Sequence, residues 1–336
     1  MKGWAQYPLS VVLGLTLLLG GIYLGHKILF TKLPLVGIIQ WTKEIKTFEE
    51  SLQGVIEGLR EEGYRQGLNI RLNEIDVRGE RDEAADAVRE LVQQGARLLV
   101  TVGTVPTLIA LELTRGSKIP IIYTNVGSPY TTGLVPPVPP TPVRFTGTSV
   151  DVPIFEQLRF LLLARPEIKR LGILYCSATP EAVATGKEAV AVCPRLGLIP
   201  SLEIITDDRP ELLTRALTNL FNERIEALYI PTDPVLGKPK NLKLICEMTM
   251  RAYIPVMVTD DNSLVYGPLI SYHCDFLDMG RQAGRQAALI LDGTPISQVP
   301  PEVPNAKKLT VNLKAARELN FLLPRRLLSQ AQQFYQ

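Results

Sequence analysis

The chain has 336 residues, with 36 Lys and Arg against 34 Asp and Glu, a formal net charge of +2. That near balance excludes the basic excess by which nucleic-acid binders hold phosphates, so no nucleic acid is expected as a partner. A hydrophobic content of 46% excludes a disordered chain and leaves enough apolar surface for one large core or two smaller ones.

Residues 3–25, GWAQYPLSVVLGLTLLLGGIYLG, carry no charged side chain. As a helix they would be about 34 Å long, enough to cross a hydrocarbon layer of roughly 30 Å. Lys2 ahead of the run also suits a cleaved secretory signal, but no pair as clear as Ala-x-Ala follows it. The expectation is an uncleaved transmembrane anchor over residues 1–32, with Trp4, Tyr7, Tyr23 and Phe30 near its two ends. Lys2 stands against Lys27 and Lys32, so charge leaves the orientation open.

Beyond the anchor, apolar runs of strand length alternate with segments of helical period, the order of βαβ units and a mostly parallel sheet. LVGIIQ (35–40) reads as a buried strand, followed by a helix over 47–62 that Gly63 stops. A strand over 68–77, a helix from Asp82 as cap through Gln94, a strand over 97–102, a helix over 105–114 and a strand over 120–124 complete one doubly wound unit. Residues 127–143, with six prolines and two glycines, form a loop. A strand over 145–149 and a helix over 153–164 follow. The alternation then begins again: strands over 171–175, 200–205, 227–231 and 255–259, helices over 180–195, 209–222 and 240–252. Two Rossmann-like α/β lobes in series imply a ligand cleft between them, where loops at the carboxyl ends of the strands converge.

Those strand ends are polar, and they supply the candidate ligand-binding residues. The first lobe offers Gln40, Trp41, Thr104, Thr124 and Asn125; the second offers Ser177, Thr179, Asp233 and Asp260. Hydroxyls beside helix N-termini suit a carboxylate, and an Asp at a neighbouring strand end suits an amine. Each of these residue types is also an ordinary cap or turn residue of a βα loop; their concentration at one sheet edge in both lobes favours the functional reading. Trp41 and Tyr130 could stack on an aromatic ligand or pack as loop residues.

Catalysis finds no support. Gly186-Lys187 lacks the upstream glycine of a phosphate loop, no Gly-x-Ser-x-Gly or His-Glu-x-x-His occurs, and the two histidines sit at the membrane boundary (His26) and beside Cys274 (His273), without the partners that catalysis or metal binding requires. The four cysteines, Cys176, Cys193, Cys246 and Cys274, form no Cys-x-x-Cys pair. They are buried thiols or, in an exported body, members of one or two disulfides with three full pairings open. No cofactor and no metal are expected.

Several blocks carry a resemblance: EGLREEGYRQGLNIRL (57–72), IPIIYTNVGSPYTTGLV (119–135) with FTGTS (145–149), RLGILYCSAT (170–179), ALYIPTD (227–233), and MGRQAGRQAALILDGTPISQVPPEVP (279–304) followed by LTVNLKAARELN (309–320). In order and spacing, from Leu35 to Phe321, they resemble the ABC-transporter substrate-binding proteins of the type I periplasmic-binding fold, in the group that includes tryptophan and tyrosine binders. The resemblance implies a receptor that closes on a small molecule, an amino acid as first expectation, and presents it to an ABC permease, with the anchored body outside the membrane. A membrane-tethered sensor that signals through a separate protein is the alternative. The family's first ligand loop usually carries His-Pro ahead of an acid, whereas WTKEIKTFE (41–49) keeps only the acid, Glu49. Cys176 to Glu181 likewise stands where Ser-Ser-Glu-x-Asn is usual, and Pro234 where an Asn often follows Pro-Thr-Asp. The resemblance also implies three crossings, near 148–152, 262–275 and 300–308. They divide the body into a first lobe of 33–149 with about 272–300 and a second of 150–271 with about 301–336. If the anchor is uncleaved, the intact mass of membrane-extracted protein includes residues 1–30; a mass starting near residue 26 or later overturns it.

Overall fold

The computed structural model describes residues 33–127, 129, 134 and 144–336. The apolar segment at 3–25 and Tyr130 lie outside the described residues. Among the described residues no helix is long and apolar enough to cross a membrane.

Lobe one begins with β1 (Leu35–Gln40), buried at every position, as a central parallel strand covered on both faces must be. It continues through α1 (Lys46–Glu61), β2 (Arg71–Asp76), α2 (Arg81–Gln93), β3 (Leu98–Val102), α3 (Thr104–Leu113), β4 (Ile121–Val126) and β5 (Phe145–Ser149). The strands are parallel in the order β2-β1-β3-β4-β5, so their carboxyl ends share one edge. The strand expected from residue 68 starts only at Arg71. Before it Asn69 ties a turn, its side chain accepting from Arg65 N at 2.7 Å and donating to Gly63 O at 2.9 Å. Asp82 lies in the first turn of α2 rather than at its cap, where Glu80 makes no capping bond.

Lobe two runs through α4 (Ile154–Ala164), β6 (Arg170–Cys176), α5 (Pro180–Val192), β7 (Ile199–Ile205), α6 (Pro210–Asn222), β8 (Ala227–Tyr229), α7 (Pro239–Arg251), β9 (Val256–Val258) and β10 (Ile270–Cys274). The helix expected through Arg195 tightens into a 3-10 turn at Cys193–Leu196. The chain then returns to lobe one as α8 (Phe276–Leu291) and finishes in lobe two with β11 (Lys307–Asn312), α9 (Leu313–Glu318), α10 (Arg325–Leu328) and β12 (Gln333–Tyr335). In the order β12-β11-β10-β9-β8-β6-β7, the stretch β7-β6-β8-β9-β10 repeats the first sheet, and β11 runs antiparallel to β10. All four cysteines are buried and free.

The lobes are joined three times: by residues 150–153, at Asp275, and by 292–306. Because β10 pairs with β11 through Cys274, residues 272–274 lie in the second sheet and the passage into lobe one falls at Asp275, later than the boundary expected near 272. The last crossing hugs lobe one longer than the boundary expected near 300: Ser149 N donates to Glu302 O at 3.1 Å, and Glu302 N donates to Gly147 O at 2.9 Å.

The returning helix α8 is held to α1 by four glycines. A Cβ on Gly54 would stand 2.2 Å from Leu277 O, on Gly58 2.4 Å from Arg281 O, on Gly280 2.2 Å from Ser51 O, and on Gly284 2.4 Å from Val55 O. All four meet backbone, which cannot yield as a side chain can. Arg281 flanks the contact with a 2.7 Å ion pair to Glu57, and Tyr64 donates to Asp292 at 2.6 Å. Gly54→Ala and Gly280→Ala therefore separate two physical effects. Helix propensity alone would stabilise by about 1 kcal/mol, whereas forcing the backbones apart should cost about 1–3 kcal/mol. We expect a lowered urea midpoint for both variants; an unchanged or raised midpoint contradicts the close contact.

Candidate functional site

The carboxyl ends of both sheets face one another, and between them lies a cavity of about 60 Å³. Lobe one lines it with Ile45, Thr47 and Phe48 at the start of α1 and with Asn125 from β4. Lobe two contributes Asp233 and Asp260 from the loops after β8 and β9, Gln157 from α4 and His273 from β10; the first crossing contributes Val150 and Val152, and the start of α8 contributes Phe276.

Asn125 takes a left-handed conformation, φ +54°, which Asn tolerates better than most side chains. Its amide donates to Thr47 O at 3.2 Å and to Ser51 Oγ at 3.1 Å, tying β4 to α1. Asp233 accepts from Cys176 N at 2.6 Å through one oxygen and from Val235 N at 2.8 Å and Leu236 N at 2.9 Å through the other. Burial nevertheless pushes its carboxyl up to about 6. Asp260 accepts from Ser263 N at 2.8 Å and Ser263 Oγ at 2.6 Å, and burial raises its carboxyl as well. Both aspartates thus brace their own loops and face the cavity.

The other strand-end candidates are placed differently. Gln40 is buried and donates to Glu49 Oε1 at 3.2 Å, and Thr124 pairs with Thr148 at 3.0 Å inside the first sheet; neither lines the cavity. Ser177 turns to Ile205 O at 3.2 Å. Trp41 packs in the core of lobe one, and with Thr179 it borders a separate depression of about 430 Å³. Gln40, Thr124, Ser177 and Trp41 are spent on their own lobes, because a strand end presents alternate residues to opposite faces. Thr104 stands at the seam between the lobes: its Oγ1 accepts from Gly127 N at 3.2 Å, and its hydroxyl opposes the rise of the Glu181 carboxyl of α5.

Two residues in the interface carried no sequence signal. Glu181, at the start of α5, is buried against lobe one so closely that a Cβ on Gly127 would stand 2.8 Å from its own Cβ. His273 lies in the cavity wall, its ring 5.7 Å from that of Phe276 and nearly parallel to it, 11° apart. No partner of His273 is visible along the chain; the fold brings its Nδ1 to 2.6 Å from Cys274 O and its Nε2 to 3.9 Å from Asp261 Oδ2.

Burial pushes the Glu181 carboxyl up to about 7, with Asp233 adding to the rise and Thr104 and Arg81 opposing it. The folded chain therefore holds a proton that the unfolded chain releases, and stability falls as pH rises from about 4.5 to about 7. Glu181→Gln removes that titration. It should be more stable than the parent above pH 7, by on the order of 3 kcal/mol at most, with the advantage fading toward pH 4.5. Thermal unfolding across that range checks it, and parallel curves for the two proteins would contradict the assignment.

The sequence profile of the ABC transporter substrate binding protein family matches residues 36–335. A tyrosine-binding protein of Clostridioides difficile (strain R20291) is 22% identical over 287 residues, 85% of this chain and 80% of that protein. Among solved structures, an ABC domain from Streptococcus pneumonia in complex with L-Trp superposes with a TM-score of 0.81 at 21% identity, covering 90% of this chain and 100% of that one. A ligand-free, open substrate-binding protein with adhesive properties from Clostridium difficile gives 0.72 at 19% identity, covering 90% and 99%. These likenesses establish a two-lobed fold of the type I periplasmic-binding kind. With the family profile spanning nearly the whole described chain, the protein belongs to the ABC transporter substrate binding protein family.

Proposed function

We propose that the protein captures an amino acid or related small molecule between its lobes and delivers it to an ABC permease, held at the outer face of the membrane by residues 3–25. The observation that carries this reading is the cavity itself, walled by Thr47, Phe48 and Asn125 of one lobe and by Asp233 and Asp260 of the other. A ligand seated there contacts both lobes at once, so binding energy favours the closed arrangement over the open one. Asp233 and Asp260 are the charged groups that would face a ligand amine, with Asn125 opposite them. Gln40, Trp41, Thr124, Ser177 and Thr179 act from behind the wall or at the mouth of the cleft. The names of the two relatives, a tyrosine-binding protein and a domain holding L-Trp, support the ligand class.

Thermal-shift measurement of the protein against amino acids and related small molecules tests this. A ligand at about 100 times its dissociation constant stabilises by roughly 2.7 kcal/mol, a plain rise in melting temperature. Asp260→Asn should then weaken binding of the stabilising compound by about ten- to a hundredfold. If no amino acid or related small molecule shifts the transition, or if the variant binds within about twofold of the parent, the assignment fails.

A further inference from the structure

The cavity is unbalanced in charge and in hydrogen bonding. Two carboxylates, the buried Asp233 and the half-buried Asp260, face it, and no lysine or arginine is among its lining residues. A carboxylate withdrawn from water without a counter-charge is costly, and neither loop supplies one.

The third polar group of the wall accepts too. The Nδ1 contact of His273 is to a carbonyl oxygen, which can only accept, so Nδ1 carries the proton and Nε2 presents a lone pair in the neutral ring. Nε2 is buried and has no hydrogen-bond partner. Most amide donors of the wall are already committed, one N–H of Gln157 excepted. Asn125 donates to Thr47 O and Ser51 Oγ, and Gln157 donates to Val152 O at 3.3 Å while its oxygen accepts from the Tyr229 hydroxyl. The hydroxyls of Thr47, Thr232 and Thr259 accept as readily as they donate. Phe48 and Phe276 supply aromatic rings to the same wall, and ring faces attract cations.

We propose that this site, if it captures ligands as inferred above, is selective for a compact organic cation, an ammonium or guanidinium whose N–H groups are shared among Asp233, Asp260 and Nε2 of His273. A ligand carboxylate contributes little here and a second one is rejected, because like charge would be placed beside these two carboxylates. His273 is the specificity-determining residue: it adds an acceptor without adding a third negative charge. Size follows from the cavity, whose 60 Å³ leaves about four to six water positions.

Isothermal titration of the full-length protein with three sets of probes decides the matter: carboxylate-free cations (ethanolamine, putrescine, agmatine), zwitterions (glycine, alanine, tyrosine, tryptophan) and anions (glutamate, succinate). We expect at least one carboxylate-free cation to bind, its N-acetylated form to bind about 100-fold more weakly, and the anions not to bind. His273→Leu should weaken the cation about tenfold. Binding of zwitterions or anions with none by the carboxylate-free cations overturns the charge selectivity and leaves the capture reading standing. An unchanged affinity in His273→Leu overturns the role given to that side chain. Heat from none of the three sets overturns both this inference and the capture reading.

Discussion

Two backbones lying against each other at α1 and α8 are the constraint on which the rest of the architecture turns. Gly54, Gly58, Gly280 and Gly284 let the helices approach until main chain meets main chain, at an entropic cost of about 0.5–1 kcal/mol for each helical glycine. What the contact offsets is topological. Helix α8 arrives in lobe one after the chain has built most of lobe two, and nothing in its sequence neighbourhood would keep it there. Once fixed, α8 begins at the hinge, where it supplies Phe276 to the cavity, and α1 begins at the cleft, where it supplies Thr47 and Phe48. One helix pair thus completes a core and sets two walls of the site.

The second governing feature is the double use of carboxylates. Asp233 and Asp260 shape their loops through bonds to backbone and to Ser263, and the same rigidity fixes their remaining lone pairs toward the cavity. A loop braced by its own aspartate loses little freedom when a ligand arrives, so less of the interaction is spent on ordering. Glu181 extends the pattern to the interface, where closing the lobes takes a carboxyl out of water.

Much of this was legible in the sequence. LVGIIQ, RLLVTV and LGILY read as strands because a parallel strand covered on both faces is a continuous apolar run, and the fold places β1, β3 and β6 there. IPTD and VMVTD put Asp233 and Asp260 at strand ends, and both reach the cavity. The same rule proposed Gln40 and Thr124, which instead serve Glu49 and Thr148, because pleating decides which strand-end side chain faces the cleft. The two glycine pairs gave no local sign, since close approach depends on a helix more than two hundred residues away. His273 shows no partner in the sequence because Asp261 becomes its neighbour only when β10 joins the second sheet beside β9.

The late return of α8 also sets an order of events during synthesis. The five described strands of lobe one are complete once Ser149 has been made, yet the helix that covers the α1 glycine stripe ends only at Leu291. At ribosomal rates of about 5–20 residues per second, that interval lasts roughly 7–28 s. Throughout it the nascent lobe has an uncovered helix flank and an open apolar groove. The chain therefore cannot mature one lobe at a time from its N-terminus; lobe one stays adhesive until lobe two is nearly finished, which makes the interval before residue 291 the stage at which a chaperone has something to hold.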